Sequence, residues 1–205
     1  PFSAPFFVFS DDLKRAARIA SLSGIQQFFV WTHDSIGVGE DGPTPQPIEH
    51  LSQFRALPNF YVWRPADGNE NVEAWKTALA MTKTPSAFVC SRQHLALLPS
   101  AVCGEASKGG YLLEESANAT ITLMASGSEG EKAMKTKEVL AAKGVNANVV
   151  SVPCFDLLLE QDKAYIDAII KTEKVVAIEA ARGLEWYRFA GGIVNMKSRC
   201  ASDLR

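Results

Sequence analysis

The sequence THDSIGVGEDGPTPQP, residues Thr32–Pro47, is the stretch that decides the fold of this chain. It contains three glycines, three prolines, three acidic residues and one histidine. The apolar run FFVW, residues 28–31, precedes it, and so short a run is typical of a buried strand rather than a helix. Open α/β sheets place their ligands in polar, glycine-rich loops at the carboxyl ends of such strands. The stretch therefore predicts an α/β sheet with a binding loop; the alternative is a long surface connection built from turn residues.

Short apolar runs alternate with helical stretches on both sides of this loop. The runs at 60–63 and 87–90 predict two further strands, and Ser10, Pro47 and Asn69 are expected to cap or begin helices. Residues 92–110 lack periodicity, and the alternation then restarts at Ile121 and continues to Ile178. We therefore predict two α/β units, each with a mostly parallel sheet in three layers, over residues 1–92 and 110–205, joined by a linker at 93–109.

Composition excludes several classes of partner. The 205 residues carry a net charge of −2, so no global positive field attracts nucleic acid or an anionic membrane. No apolar run approaches the roughly 20 residues of a membrane-spanning helix, and no secretory leader is visible. The four cysteines lie far apart without a CxxC pattern, which favours free, buried thiols in a reducing cytosol. We predict a cytoplasmic protein without nucleic-acid or membrane partners.

Three features outside the loop are candidates for binding. Arg92 follows a predicted strand, as His33 does, although an arginine in this position is also typical of a surface ion pair. Phenylalanines cluster ahead of the first helix, either as core or as a stacking surface. The turn Ser126-Gly127-Ser128 lies between a strand and a helix, where it is either a plain tight turn or an anion site.

The opening stretch resembles the transketolase signature, T-H-D-S-I-G-x-G-E-D-G-P-T-H-Q-P. It agrees at fifteen of sixteen positions, and the exception is Pro45, where the family has histidine. The resemblance covers about residues 5–182, and it is carried further by the segments Phe54–Glu70, Pro85–Gln93, Ser107–Leu113 and Ala125–Glu129. It implies a pyrimidine-binding domain that is truncated at its start, followed by a transketolase C-terminal domain that is incomplete at its end.

The resemblance also implies a reaction. Transketolases move a two-carbon ketol unit from a ketose phosphate to an aldose phosphate with thiamine diphosphate, in the pentose phosphate pathway or the Calvin cycle. By resemblance His33 and Arg92 would hold the substrate phosphate, and Asp41 would recognise a sugar hydroxyl. Phe6 and Phe9 match aromatic residues that stack on the pyrimidine ring of the cofactor.

Two departures from the family concern the chemistry. Asp12 stands where the family has a third aromatic residue, and an aspartate offers no aromatic face. Pro45 replaces the histidine beside the reacting carbon, so no catalytic residue is assigned in this chain. No G-D-G followed by an asparagine is present, so the ligands of the diphosphate and of Mg²⁺ are expected in a domain that this sequence lacks.

Two functions stay open from the sequence. The first is a portion of a transketolase that acts with a diphosphate-binding domain, supplied by the same protein or by a partner chain. The second is a non-catalytic, transketolase-like fragment or assembly protein, which Asp12 and Pro45 favour. For either function we expect a homodimer or a partner chain, with self-association through residues 1–60.

Overall fold

The computed structural model describes residues 2–39, 42–98 and 103–199. Within these ranges the strands fall into two sheets, one on each side of the aperiodic stretch. The α/β class with mostly parallel sheets, predicted from the alternation of strands and helices, is confirmed.

The first sheet contains four parallel strands in the order β1-β2-β4-β3. They are β1 (Phe2–Ser3), β2 (Phe28–Trp31), β3 (Tyr61–Trp63) and β4 (Ser86–Val89). Its helices are α1 (Ser10–Ser23), α2 (His50–Arg55) and α3 (Gly68–Ala80), with a short 3₁₀ segment at Phe7–Phe9. Because β2 and β4 are parallel neighbours, with Trp31 opposite Val89, the segments that follow them leave the sheet at the same edge.

The second sheet has the order β5-β7-β6-β8-β9, in which only the edge strand β5 is antiparallel to its neighbour. Its strands are β5 (Tyr111–Glu114), β6 (Ile121–Ala125), β7 (Ala147–Ser151), β8 (Val175–Glu179) and β9 (Gly192–Asn195). Its helices are α4 (Glu129–Ala141), α5 (Phe155–Leu159) and α6 (Lys163–Ile170), with a 3₁₀ segment at Leu184–Arg188. Another 3₁₀ segment, Cys103–Lys108, lies inside the stretch that we predict as a linker.

Large aromatic side chains form the core of the first unit. Trp31 from β2 packs against Phe54 of α2 with ring centroids 4.5 Å apart, and against Phe7 at 5.4 Å. Phe29 packs on Phe60 at 5.6 Å. All five side chains are almost completely buried. Each buried aromatic side chain stabilises the fold by about 1.5–3 kcal/mol. The aromatic core therefore holds β2 in place at the point where the signature loop begins.

Three details of the helices differ from the sequence prediction. Helix α1 begins at Ser10 itself, and the capping position belongs to Phe9. Helix α3 is capped by the carboxylate of Asp67 rather than by Asn69, because Asp67 accepts a 2.8 Å bond from the Glu70 amide. Helix α2 begins three residues after Pro47; the Ile48 carbonyl accepts from the Arg182 amide of the second unit and does not enter the helical ladder.

Backbone hydrogen bonds join the two units directly. The Arg64 amide, just after β3, donates to Pro153 at 2.7 Å, and the Arg64 carbonyl accepts from Gly127 at 2.9 Å. Trp63 also forms an isolated antiparallel bridge with Cys154. The Glu70 carboxylate on α3 makes a second polar contact between the units. It accepts hydrogen bonds from the hydroxyls of Tyr111 at 2.8 Å and Ser151 at 2.5 Å. The units therefore meet through specific polar contacts as well as apolar packing.

Gly127 offers a direct test of this junction. Its φ is +55°, and an added Cβ would lie 2.7 Å from Cγ of Arg64. Gly127→Ala should lower the free energy of unfolding by about 3 kcal/mol or more, because it combines left-handed strain with displacement of a buried charged side chain. The matched control is Gly144→Ala, at φ +78° with open space around it, which should cost only about 1–2 kcal/mol of strain. Urea unfolding of both variants measures the difference, and equal losses would contradict a close contact between the units at Gly127.

Candidate sugar-phosphate site

The signature loop begins where β2 ends, and its second residue has an unusual conformation. His33 has φ +62°, which is uncommon for a residue with a side chain. Its imidazole lies on the Phe6 ring, with centroids 3.7 Å apart, and Nδ1 is 3.0 Å from the Thr32 hydroxyl. The imidazole is therefore oriented by contacts on two sides.

Arg92 lies on the connection that follows β4, the parallel neighbour of β2. Its side chain is exposed, and its guanidinium lies against the signature loop at Gly39. A Cβ at Gly39 would be 3.1 Å from the guanidinium carbon, and a Cβ at Gly37 would be 2.7 Å from Oε1 of Gln93. Gly39 has φ +81°, and both glycines permit a close approach of the chain's own side chains.

The structure therefore brings His33 and Arg92 to one edge of the first sheet, each on a segment that follows a central strand. Sheets of this type bind their ligands outside the carboxyl ends of their strands. Asp41, the third predicted substrate residue, lies outside the described residues.

Phe6 and Phe9 form an exposed aromatic surface beside His33. Their rings are 41% and 54% exposed, and the ring planes are 23° apart with centroids separated by 6.3 Å. Asp12 is exposed on the first turn of α1, and Pro45 is partly buried. Neither Asp12 nor Pro45 offers the aromatic face or the imidazole found at these positions in the family.

Beneath the loop lies a buried ionic network that the sequence analysis missed. Asp34, next to His33, accepts two bonds on Oδ2 from Arg64, from Nη2 at 2.7 Å and from Nε at 3.1 Å. The third guanidinium nitrogen, Nη1, points into the second unit. There it donates to Glu129 at 2.5 Å, to the Ser126 carbonyl at 2.8 Å and to Glu179 at 3.1 Å.

A second arginine extends this network. Arg55 of α2 bonds Glu179 at 2.7 Å, makes a further contact with Glu185, and lies over the Phe155 ring at 4.6 Å. The indole of Trp186 also donates to Glu179. Arg64 and Glu179 are fully or almost fully buried, and such charges persist in proteins only when they are paired.

The charges within the network influence one another. Burial alone would raise the pKa of Glu179, but the Arg55 and Arg64 guanidiniums outweigh it and lower that pKa to about 2. Burial raises the pKa of Asp34, against the opposing effect of Arg64, and the nearby Glu129 raises it further. Asp34 is thus held by hydrogen bonds from Arg64 at a position that is unfavourable for its charge.

Two signals in the sequence could have revealed this network. Arg64 interrupts an apolar run at the end of a predicted strand, and Asp34 lies inside the binding loop between His33 and Ser35. The turn Ser126-Gly127-Ser128 was predicted as a tight turn with an anion site as the alternative. In the structure this turn packs around the Arg64 side chain and accepts its hydrogen bonds.

Residues 2–39, 42–98 and 103–199 contain no cluster of three or more His, Cys, Asp and Glu side chains suited to hold a metal ion. None of the helices in those ranges is both long and apolar enough to cross a bilayer.

Two family models match this chain in succession. Residues 1–96 match the transketolase pyrimidine-binding domain, and residues 109–204 match the transketolase-like C-terminal domain. Chloroplastic transketolase from Solanum tuberosum is 43% identical over 196 residues, which are 93% of this chain and 26% of that protein.

Solved transketolase structures agree with the whole architecture. The Campylobacter jejuni enzyme has a TM-score of 0.93 at 52% identity and covers 98% of this chain, which in turn covers 32% of that enzyme. A transketolase mutant from Pichia stipitis, in complex with xylulose 5-phosphate, has a TM-score of 0.94 at 37% identity, with coverages of 98% and 30%. The chain thus spans about a quarter to a third of these proteins. Because models of two transketolase domains together match nearly its whole length, the chain belongs to the transketolase family.

Proposed function

We propose that this chain forms the sugar-phosphate side of a ketol-transferring site, which a diphosphate-binding domain completes. The observation that carries the proposal is the position of His33 and Arg92 on segments that follow neighbouring parallel strands, with the signature loop folded against Arg92. The complex of the Pichia stipitis enzyme with xylulose 5-phosphate supports the substrate class.

Arg92 and His33 suit an anionic group for different reasons. The planar guanidinium binds phosphate through two parallel hydrogen bonds, and each charge-assisted bond contributes about 1.5–3 kcal/mol. The imidazole adds a donor whose direction is fixed by Phe6 and Thr32. Asp41 would recognise a hydroxyl of the donor sugar, as the family resemblance implies.

The residues present fit one half of thiamine diphosphate. Phe6 and Phe9 are the exposed aromatic rings against which its pyrimidine would stack. When bound, thiamine diphosphate supplies the carbon centre that accepts and passes on the two-carbon unit. The sequence has no G-D-G followed by an asparagine, so the ligands of Mg²⁺ and of the diphosphate are proposed to come from another domain. That domain would belong to the same protein, to the second copy of a homodimer, or to a partner chain.

The division into residues 1–92 and 110–205, with a linker at 93–109, is part of this proposal. The linker is held at Leu98, whose amide donates to Asp67 at 3.0 Å. A cytoplasmic location also stays a prediction; Cys90 and Cys154 are free thiols, and the potato relative is named chloroplastic.

A second candidate function rests on Asp12 and Pro45. Both replace residues that the family uses beside the cofactor, whereas His33 and Arg92 are retained. A chain that binds sugar phosphate without catalysing transfer, as a fragment or an assembly protein, would have this combination.

Arg92→Lys tests the phosphate site. Lysine keeps the charge and loses the planar fork, so the affinity for ribose 5-phosphate should fall roughly three- to tenfold while the affinity for ribose stays the same. His33→Ala should have a smaller effect. NMR titrations with both sugars measure the two affinities, and Arg188→Lys, at an exposed arginine outside the site, is the matched control. An unchanged preference for the phosphorylated sugar in Arg92→Lys would show that Arg92 does not bind phosphate.

Cofactor binding gives an independent test. The chain alone should bind thiamine diphosphate weakly or not at all, with no effect of added Mg²⁺, because the resemblance places the ligands of the metal and of the diphosphate in another domain. Titration calorimetry with and without Mg²⁺ measures this. Micromolar binding that requires Mg²⁺ would place the metal site within this chain and contradict the proposal that another domain supplies the ligands of Mg²⁺.

A further inference from the structure

His33 is fixed from both of its neighbours along the chain. On the amino side, the Thr32 carbonyl accepts from Phe7 at 2.7 Å and the Thr32 amide donates to Pro5 at 3.4 Å. On the carboxyl side, the Asp34 carboxylate is held by Arg64. A left-handed backbone at a residue with a side chain persists only where the surroundings impose it. Both neighbours of His33 supply such constraints.

Arg64 divides its hydrogen bonds between the two units. Nε and Nη2 bind Asp34 in the signature loop, while Nη1 binds Glu129 and Glu179 in the second unit. The guanidinium is planar and rigid, so a shift on either side changes the bonds on the other. The position of Asp34 is thereby linked to the turn that follows β6 and to the last residue of β8.

We propose that Arg64 is a positioning residue for the sugar-phosphate site: by clamping Asp34 it sets the left-handed conformation of His33 and aims the imidazole at the phosphate. Glu129 and Glu179 hold Arg64 from the other side, so the second unit contributes to phosphate affinity without touching the ligand. This inference deepens the proposed function and rests on it.

The contacts of the network distinguish this role from simple joining of the units. Glu70 with Tyr111 and Ser151, and Arg55 with Glu179, also hold the two units together, and none of these residues belongs to the signature loop. The Asp34–Arg64 pair is placed differently, since it fastens the residue next to His33. Its removal should therefore alter the site beyond any loss of stability.

Asp34→Asn is the principal variant. An amide can still accept from Arg64 through its oxygen and donate to Ser35, so the shape is kept while the charge-assisted pair is lost. The dissociation constant for ribose 5-phosphate should rise about tenfold, with that for ribose within twofold of wild type. In the same samples the nuclear Overhauser contact between the His33 and Phe6 rings should weaken. The chain has three histidines, so the His33 signals can be assigned by substitution.

Two further variants make the test specific. Glu129→Gln removes a partner of Arg64 within the second unit, and it should weaken ribose 5-phosphate binding about threefold with a smaller change in the His33 signals. Tyr111→Phe removes a buried hydrogen bond at the other contact between the units. It should lower the melting temperature by a few degrees while the His33 signals and the phosphate preference stay as in wild type.

The outcomes separate the inference from the proposed function. Unchanged His33 signals in Asp34→Asn, or an equal change in Tyr111→Phe, would overturn the positioning role. A different outcome is that wild type shows no preference for ribose 5-phosphate over ribose while the His33 signals still change in Asp34→Asn. In that case the proposed phosphate site is wrong, and the positioning of His33 by Arg64 through Asp34 is supported. If Asp34→Asn does not fold, Glu129→Gln tests the positioning role through the same two measurements, the dissociation constant for ribose 5-phosphate and the His33 signals.

Discussion

The buried guanidinium of Arg64 is the interaction on which the arrangement of this structure depends. Arg64 lies just after β3, and the Ser126–Ser128 turn packs around its side chain. Its guanidinium donates hydrogen bonds to acidic residues of both units. A fully buried arginine is strongly unfavourable without partners, so the two units and the signature loop must come together around it. Apolar packing permits many relative placements of two α/β units, whereas a planar group with fixed donor directions permits few.

Four acids surround the two buried arginines: Asp34, Glu129, Glu179 and Glu185. Replacement of a whole buried ionic network by apolar side chains is often neutral or stabilising, whereas removal of one partner is strongly destabilising. The hydrogen bonds of Arg64 fix one relative placement of its partners. Burial acts to raise the pKa of both Glu179 and Asp34; the two arginines nevertheless lower that of Glu179, whereas that of Asp34 stays raised.

Of the two departures from the family, Pro45 lies within the signature loop itself and Asp12 lies on α1. His33 and Arg92 retain their positions at the edge of the sheet, and Phe6 and Phe9 retain an aromatic surface. By the resemblance to transketolases, Asp12 stands in place of an aromatic residue and Pro45 in place of a histidine. In the proposed function, recognition of the phosphate rests on His33 and Arg92, and these are not the residues at which the chain departs from the family.

The sequence by itself determined the fold class, because apolar runs of four or five residues alternate with helical stretches and because a glycine-rich loop follows the first buried strand. It also indicated His33 and Arg92, since both follow predicted strands and the ends of parallel strands meet at one edge of a sheet, whereas Phe6 and Phe9 were indicated by the resemblance to transketolases. Helix starts were predicted less well: Asp67 rather than Asn69 caps α3, and the bond from Arg182 to Ile48 delays α2. Only the tertiary structure decided the role of Asp34, Arg64 and Glu179. Asp34 and Arg64 are 30 residues apart in the sequence, and Arg64 and Glu179 are 115 residues apart. Local periodicity carries no information about hydrogen bonds between residues so far apart.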